Sequence, residues 1–510
     1  MFFPLFDAGE EKPVNFKRMY IPEMRREIQY FFRLLAALFC CHCAAAQVIS
    51  TDVKGVPDAP ADTALAEPPP PPREARFMVR NIVIEGNKKT KPSVILRELF
   101  FRPGDSLRLP DLVEKFELAR QQLMNTTLFH EVIVALKSFE GYDVDVLIQV
   151  KERWYIFPLP YFKPVDRNLN QWLVEQKASF KRVNYGMKLL YNNITGRNDK
   201  MQLWLITGYT QQFLLNYHRP YFDKDMKWGY TVSLGMGNNK EVNYQTFNDK
   251  QAFFRQDSLL RKFKSASAEL IYRHAIRTRH SFRAGYAEEW VADTILKLNP
   301  GYFAATGNKI RFPELTYTMT YFDLDYIPYP TKGYGAEITF TKRGFNKQNN
   351  LWQLTAKGSA NWPAGKNAFF SLNAFATLKL PFDQPYYNRR LLGYGDAFLQ
   401  GYEYYVVDGV ASAYLKTSFT RRLFGFGINI PGTKKLLPQR IPFNIYGRVF
   451  TNMGYVYSRA DEMNMLPNQM LFSGGFGIDI TSVYDFTLKL DWSFNQLGQN
   501  GVFFHRKSNF

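Results

Sequence analysis

The stretch Asp485–Asn495, DFTLKLDWSFN, decides the fold because polar and apolar side chains alternate along it without a break. Successive side chains of a β-strand point to opposite faces, so one face of this segment is apolar and the other is polar. The apolar face carries Phe486, Leu488, Leu490, Trp492 and Phe494, and the polar face carries Thr487, Lys489, Asp491 and Ser493. Such strands are typical of a barrel with lipid outside and a polar lumen inside.

The same alternation recurs through residues 153–510, for example in Phe370–Leu380 and Tyr334–Thr341. It predicts about sixteen strands, and an even number lets both ends of the barrel face the same side of the membrane. One predicted strand ends at residue 420 and the next begins at residue 443, and the last is placed at residues 503–510. The predicted fold class is membrane β, a 16-stranded antiparallel transmembrane β-barrel preceded by a small α+β domain.

The composition excludes a membrane protein built from helices and argues against a nucleic-acid-binding protein. The chain has 510 residues, a mean hydropathy of −0.31 and a formal net charge of +19. Beyond the N-terminus it has no run of about 20 apolar residues, which a membrane-spanning helix requires. Lys and Arg are dispersed, without a basic helix or zinc finger, so nucleic acid is not an expected partner. Membrane lipid and lipopolysaccharide phosphates are the expected anionic partners.

Residues 1–46 have the features of a secretory signal peptide. A short apolar run, Leu34–Cys41, follows arginines and precedes a small-residue cleavage site at Ala44 and Ala46. All three cysteines of the chain lie in this region, so a cleaved protein has neither disulfides nor thiolate metal sites. Two methionines offer alternative translation starts, Met19 and Met24.

Residues 47–76 are rich in proline, including the run Pro68–Pro72, and contain few large apolar groups. This composition predicts an extended, semi-rigid linker. A ligand for a proline-binding domain is the alternative interpretation.

Residues 77–152 are predicted to form a small domain with the order β-α-α-β-β. Its first strand is Val79–Glu85, and its second helix, Leu109–Met124, has apolar side chains at helical spacing. The segment Asn81–Asn87 and the motif Leu96-Arg97-Glu98-Leu99 resemble a POTRA domain. The resemblance implies a periplasmic module that binds extended segments of other proteins by adding a strand to its sheet. A rigid spacer is the alternative.

Residues 381–409 form the longest interruption between predicted strands. The segment contains many aromatic and aliphatic residues, such as Leu391, Phe398 and Tyr404, and is too apolar for a solvated loop. A long loop of this composition is expected to fold onto the nearest surface, which is the lumen wall.

Several short motifs in this order resemble the BamA/TamA family, also called the bacterial surface antigen family. The resemblance covers residues 77–510 and rests on Asn193–Asn198, Arg219–Phe222, Tyr329–Gly333, the lumen-loop motif Leu399-Gln400-Gly401-Tyr402 and the terminal aromatic Phe510. It implies a bacterial outer-membrane protein that assembles, inserts or translocates other proteins. Unfolded outer-membrane or secreted proteins would be its clients, and periplasmic accessory proteins would be further partners.

Three positions depart from the pattern of that family. Its loop arginine is Gln400 here, its partner acid corresponds to Asn452, and its strand-12 glutamate falls near Lys416. A buried ion pair is stable only when both charges are present, and losing both leaves two amides that can still form a hydrogen bond. We therefore expect Gln400 and Asn452 to lie close together in the lumen.

The first and last strands are expected to meet in a weak seam, which would let an incoming strand pair there instead. On one side Pro158 and Pro160 remove backbone donors, and Tyr155 is placed beside them. On the other side the last strand, with Phe504 and Phe510, is short of apolar residues. The alternatives are a secretion pore for one dedicated partner and a passive or structural channel.

No catalytic or metal site is predicted, and no cofactor is expected. The six histidines form no pair at metal-ligand spacing, and neither G-x-S-x-G nor a P-loop occurs. The segment Gly104–Leu107 matches the short motif of a lipase family, but its serine falls between two predicted helices rather than after a strand. We therefore expect a protein that is not an enzyme.

Overall fold

A computed structural model of the protein describes residues 75–164, 177, 179–180, 183–303, 307–346, 349–395, 397–429, 440–459 and 463–505. The predicted signal region with Ala44 and Ala46, the linker as far as residue 74, and Phe510 lie outside the described residues.

The N-terminal domain is a four-stranded sheet covered by two helices. Its elements are β1 (Arg76–Glu85), α1 (Pro92–Leu96), β2 (Ser106–Arg108), α2 (Leu109–Asn125), β3 (Phe129–Glu140) and β4 (Asp143–Glu152). The sheet order is β2-β1-β4-β3, with β1 parallel to β4. The short strand β2 was missed in the predicted order, because three residues are too few to show a period. The apolar stripe of α2, including Leu112 and Leu123, is buried against the sheet.

The rest of the described chain is mainly β-strand. In chain order its elements are β5 (Ile156–Pro164), β6 (Val183–Asn192), β7 (Lys200–Gly208), β8 (Thr210–Arg219), β9 (Trp228–Asn239), β10 (Glu241–Phe247), β11 (Lys250–Arg255), β12 (Arg261–Tyr272), β13 (Thr278–Val291), α3 (Asp293–Leu298), β14 (Lys309–Leu324), β15 (Gly333–Asn346), β16 (Asn349–Pro363), β17 (Ala368–Leu380), α4 (Tyr386–Arg389), β18 (Arg390–Leu392), β19 (Val407–Asp408), β20 (Ala411–Asn429), β21 (Arg440–Tyr457), β22 (Met470–Thr481), β23 (Thr487–Asn495) and β24 (Asn500–His505).

Sixteen of these strands form one antiparallel sheet, which confirms the predicted fold class. In β23 the side chains of Asp491 and Ser493 are fully buried on the lumen face, whereas Trp492 and Phe494 are about half exposed on the outer face. The period-two pattern of the sequence therefore corresponds to the inside and the outside of the barrel wall. None of the described helices has the length and hydropathy needed to cross a membrane.

The N-terminal domain packs against the turns at one end of the barrel. Glu98 accepts hydrogen bonds from Arg273 Nη2 at 2.7 Å and from the Tyr221 hydroxyl at 3.1 Å. Arg153, at the end of the domain, donates to Asp485 in the turn before β23 at 2.7 Å. Since all of these side chains except Asp485 are buried, the contacts fix the domain over this mouth of the barrel.

The carboxyl group of Glu98 is ionised at this interface. Burial by itself raises its pKa, but the attraction and hydrogen bonds of Arg273 outweigh burial, so the pKa lies below the usual 4.5. The ion pair is consequently complete at neutral pH.

Elements that the sequence did not predict cover the opposite mouth. The hairpin β10–β11 and the short helix α3 pack with α4 around a cluster that includes Leu260, Tyr302, Phe303 and Tyr386. Among the described residues, folded elements therefore lie at both ends of the barrel.

Candidate functional site

The long loop between β17 and β20 folds into the barrel as the sequence suggested. It contains α4 and the small pair β18–β19, and its apolar side chains form a buried cluster with the barrel wall. Leu399 is fully buried and Tyr402 almost so, and the Tyr402 hydroxyl donates to the Phe472 carbonyl at 3.1 Å. The motif Leu399–Tyr402 thus lies against strands β21 to β23. We call the slightly longer segment Phe398–Tyr404 the loop tip.

Gln400 is anchored mainly to Asp491 and not to the side chain of Asn452. Its Nε2 donates to Asp491 Oδ2 at 2.9 Å. Asn452 Nδ2 lies 3.5 Å from the backbone carbonyl of Gln400 and donates to Ser473 Oγ at 3.1 Å. The two residues are in contact as expected, but the expected pair of side-chain amides does not form, because a carboxylate is a stronger acceptor than an amide oxygen.

An arginine does lie in this network, but the wall contributes it. Arg448 of β21 places Nη2 2.6 Å from Asp491 and Nε 3.1 Å from Asp479, and all three side chains are buried. The Tyr329 hydroxyl, from the turn before β15, donates to Asp479 at 3.0 Å. The site therefore contains a buried arginine–carboxylate network to which the loop contributes a neutral residue, Gln400.

Sequence reasoning missed Arg448 and Asp479. Arg448 follows Gly447 in a segment where aromatic and aliphatic residues surround it, and a charge in the middle of a strand is a signal for a lumen position. Asp491 was placed on the polar face of the opening stretch, but no local pattern identifies its partner Arg448, which lies 43 residues earlier and two strands away. The missing information was the register of β21 to β23.

Gly401 permits the close approach of the loop tip to the wall. Its φ is +92°, and a Cβ added there would lie 3.0 Å from Ser473 Cβ and 3.1 Å from the Phe494 carbonyl. Asn495 Nδ2 donates to the Gly401 carbonyl at 2.7 Å. Any side chain at this position would meet both a strained backbone conformation and the wall.

Lys416 faces the lumen opposite Asn452 in the register of β20 and β21. Its ammonium group lies 4.1 Å from the centre of the Phe398 ring, in a cation–π contact with the loop tip. A lysine therefore contacts the loop where the related family is expected to have an acid.

The loop tip also contacts the lumen face of the last strand. His505 Nε2 of β24 lies 3.2 Å from Glu403 Oε1, and its ring stacks on Phe398 at 4.8 Å. Phe503 meets the Tyr404 ring at 5.2 Å. Phe504 alternates with these residues and is 71% exposed on the outer face.

The large sheet ends at β5 on one side and at β24 on the other. Within the described parts of the chain, β24 pairs only with β23 and β5 only with β6. Pro158 and Pro160 both lie in the β5–β6 ladder, so their missing N–H groups belong to the edge that faces β24. The described residues of the seam therefore lack a continuous backbone ladder.

Tyr155 was placed at the seam, and the structure corrects this. It precedes β5, is 8% exposed and belongs to the core cluster of the N-terminal domain. Its hydroxyl lies 3.1 Å from Thr90 Oγ1, and burial raises its pKa to about 12. Tyr155 joins the domain to the barrel because the chain passes through the domain core before it enters the wall.

Among the described residues, no group of three or more His, Cys, Asp or Glu side chains is arranged to hold a metal ion. Ser106 of the lipase-like motif lies in the short strand β2, where it is exposed.

Two family models match the chain. The Omp85 superfamily domain matches residues 193–501, and the POTRA model, surface antigen variable number repeat, matches residues 77–153. No curated protein matches the chain significantly.

The solved structures that are similar to this chain include BamA and CdiB. BamA from Haemophilus ducreyi lacking POTRA domains 1–3 is 15% identical with a TM-score of 0.47, covering 84% of this chain and 83% of that one. CdiB from Escherichia coli is 11% identical with a TM-score of 0.46, covering 96% of this chain and 98% of that one. The family matches, which span most of the barrel and the whole N-terminal domain, confirm the resemblance drawn from the motifs. This chain belongs to the Omp85 superfamily and is an outer-membrane β-barrel with a POTRA domain in the periplasm.

Proposed function

We propose that this protein assembles or translocates other proteins at the outer membrane by offering the edges of β5 and β24 to an incoming strand. The seam carries the proposal, since the described residues of the two end strands do not pair with each other. Unpaired backbone groups at a sheet edge readily bind another strand. In lipid this tendency is stronger, because no water is present to satisfy those groups.

The loop tip would hold β24 while its edge is used. Glu403, Phe398 and Tyr404 contact the lumen face of the strand, whereas a client would approach its edge. The network of Arg448, Asp491 and Gln400 fixes the loop tip to the wall beside these contacts with β24. Gln400, Asn452 and Lys416 then act as positioning residues for the last strand.

Strand β3 of the POTRA domain is the proposed first contact for a client. It is an end strand of its sheet, and within the described residues it pairs only with β4. Ile133 and Phe139 are 42% and 57% exposed along it. An extended client segment, or a periplasmic accessory protein, would add to this edge through backbone hydrogen bonds.

The mechanism requires neither a catalytic residue nor a cofactor. Strand exchange replaces one set of backbone hydrogen bonds with another and breaks no covalent bond. Outer-membrane lipid and lipopolysaccharide would surround the apolar outer face of the barrel. The client would be released into this lipid.

Depletion of the protein, followed by an inventory of the outer-membrane proteome, tests the proposal. Loss of several unrelated barrel proteins, restored by the wild-type chain, is the expected result. Loss of one secreted protein alone would identify a dedicated secretion pore. An unchanged inventory would support a passive channel and would overturn the proposal.

A further inference from the structure

Strands β20 and β21 are longer than the barrel wall requires. Arg421 of β20 pairs with Ala368, where β17 begins, but β20 continues to Asn429. At about 3.3 Å per residue the extra segment adds roughly 25 Å along the strand. Arg422–Asn429 of β20 pair with Arg440–Tyr446 of β21 on the periplasmic side, and we call this extension beyond β17 the periplasmic hairpin.

One face of the periplasmic hairpin is apolar and aromatic. Cross-strand pairs join Phe424 to Ile445, Phe426 to Phe443 and Ile428 to Ile441. The rings of Phe426 and Phe443 stack at 5.3 Å. The members of these pairs that belong to β20, Phe424, Phe426 and Ile428, are 45–58% exposed, whereas Ile441 of β21 is buried. The half of the face that β20 contributes is therefore not covered by the described part of the chain.

This face continues the lipid-facing surface of the barrel. Ile445 pairs with Ile480 of β22, whose outer face carries Phe476 and Ile478, both about half exposed. The opposite face of the hairpin carries Arg422, Gly425, Gly427, Pro442 and Asn444, and none of these is a large apolar residue. The hairpin is therefore one-sided, and its apolar side is the side that meets lipid in the neighbouring wall.

The charges of the segment have one sign. The sequence from Gly409 to Ala460 contains no Asp or Glu, and Arg421 and Arg422 stand exposed where the hairpin leaves the wall. A basic segment with an aromatic face is typical of elements that lie in the headgroup region of a membrane containing anionic lipid.

A β-bulge allows the hairpin to bend away from the direction of the barrel strands. The register shifts between Arg422 and Phe424, which leaves Leu423 as the extra residue, 55% exposed. An extra residue bends a strand and increases its twist. The bend stands at the level where β17 begins, which is where a strand emerging from lipid would have to turn toward the membrane plane.

We propose that the periplasmic hairpin lies in the periplasmic leaflet of the outer membrane. Its aromatic face contacts the acyl chains near the headgroups, and Arg421, which lies on the same face, contacts lipid phosphates. Lipid is favoured over a protein partner because the face is continuous with the lipid-facing wall and the segment lacks acidic residues.

Single-cysteine labelling of the full chain in vesicles tests the proposal. The background carries serine at Cys40, Cys41 and Cys43, and the environment-sensitive dye nitrobenzoxadiazole is attached at Phe426→Cys. The vesicles contain phosphatidylcholine and phosphatidylglycerol with a nitroxide near the headgroup end of the acyl chain. Matched controls are Val449→Cys on the lipid-facing wall, Asn444→Cys on the opposite face and Lys366→Cys in the neighbouring turn.

We expect the nitroxide to quench the dye at position 426 at least half as strongly as the dye at position 449. Quenching at positions 444 and 366 is expected to be several-fold weaker. Quenching at position 426 no stronger than at position 366 would overturn the proposal, and would leave a periplasmic protein as the occupant. Phe424→Cys provides a second reporter on the same face should the variant at position 426 fail to fold.

Discussion

The end strands of the sheet and the long pair β20–β21 are built differently. β20 and β21 have 19 and 18 residues and are paired over almost their whole length. β5 and β24 have 9 and 6 residues, and each has one strand neighbour among the described residues. The last strand is held instead by side chains of the loop tip.

The difference indicates where the barrel can open. Separating β20 from β21 would break many backbone hydrogen bonds at once, each expensive to leave unmade in lipid. Opening the seam disturbs few backbone bonds, and the loop tip keeps β24 in position meanwhile.

Locking the seam should have the largest effect. In Leu159→Cys/Phe503→Cys both side chains lie on the lumen face, and a thiol crosslinker would join β5 to β24. We expect loss of the ability to restore outer-membrane proteins in depleted cells, and recovery on cleavage of the crosslinker. The double variant without crosslinker is the reference, so that any loss caused by removing the contact of Phe503 with Tyr404 is measured separately. As a matched control, Ala268→Cys/Ala284→Cys joins two neighbouring strands that already pair and should stay active when crosslinked. Full activity of the locked seam would exclude the proposed mechanism.

Arg448→Ala should release the loop tip from the wall. It leaves Asp479 and Asp491 buried without their cation, and breaking a buried ion pair in this way costs about 3–5 kcal/mol. We expect heat-induced unfolding at a markedly lower temperature, measured as the change in gel mobility between the folded and the unfolded barrel. Arg283→Ala is the control, because its ion pair with Glu314 is half exposed and should contribute about 1 kcal/mol or less. Equal effects of the two substitutions would contradict the role given to Arg448.

Gly401→Ala should loosen the same contact less severely. The positive φ and the contacts with Ser473 and Phe494 together are expected to cost about 1–3 kcal/mol. Gly365→Ala is the matched control: its φ is +84°, but an added Cβ would meet nothing within 4 Å. The difference in unfolding temperature between the two variants measures the contact with the wall, and no difference would mean that the loop tip is not packed tightly.

Acid should weaken the docking of the POTRA domain, with little effect near neutral pH. The pKa of Glu98 is lowered in the folded state, so its stabilisation is present above the usual value of 4.5 and is lost as the pH falls through the folded pKa. The protection factor of α1, which is the hydrogen-exchange rate corrected for the intrinsic pH dependence of amide exchange, should therefore be flat between about pH 5 and 8 and fall only below that range. Glu98→Gln should abolish the acid dependence; a dependence that persists in this variant would assign it to another group.

Much of the barrel could be predicted from its sequence, and less of its candidate site. Alternation in segments such as Phe370–Leu380 located the strands, since burial in lipid acts on each side chain separately. The strand predicted to end at residue 420 runs to Asn429, because the bulge at Leu423 shifts the alternation by one residue. The loop tip was found through its motif, but the partner of Gln400 was not.

The sequence by itself determined the two faces of strands such as β17 and β23 and the domain that precedes the barrel. These properties depend on neighbouring residues, whose side chains alternate with period two. Only the tertiary structure decided that Arg448 replaces the missing loop charge, that Tyr155 belongs to the POTRA core and that β24 is held by the loop tip. These contacts depend on the register between strands that are distant in sequence. A shift of one residue in that register would turn the side chains of a strand to its other face.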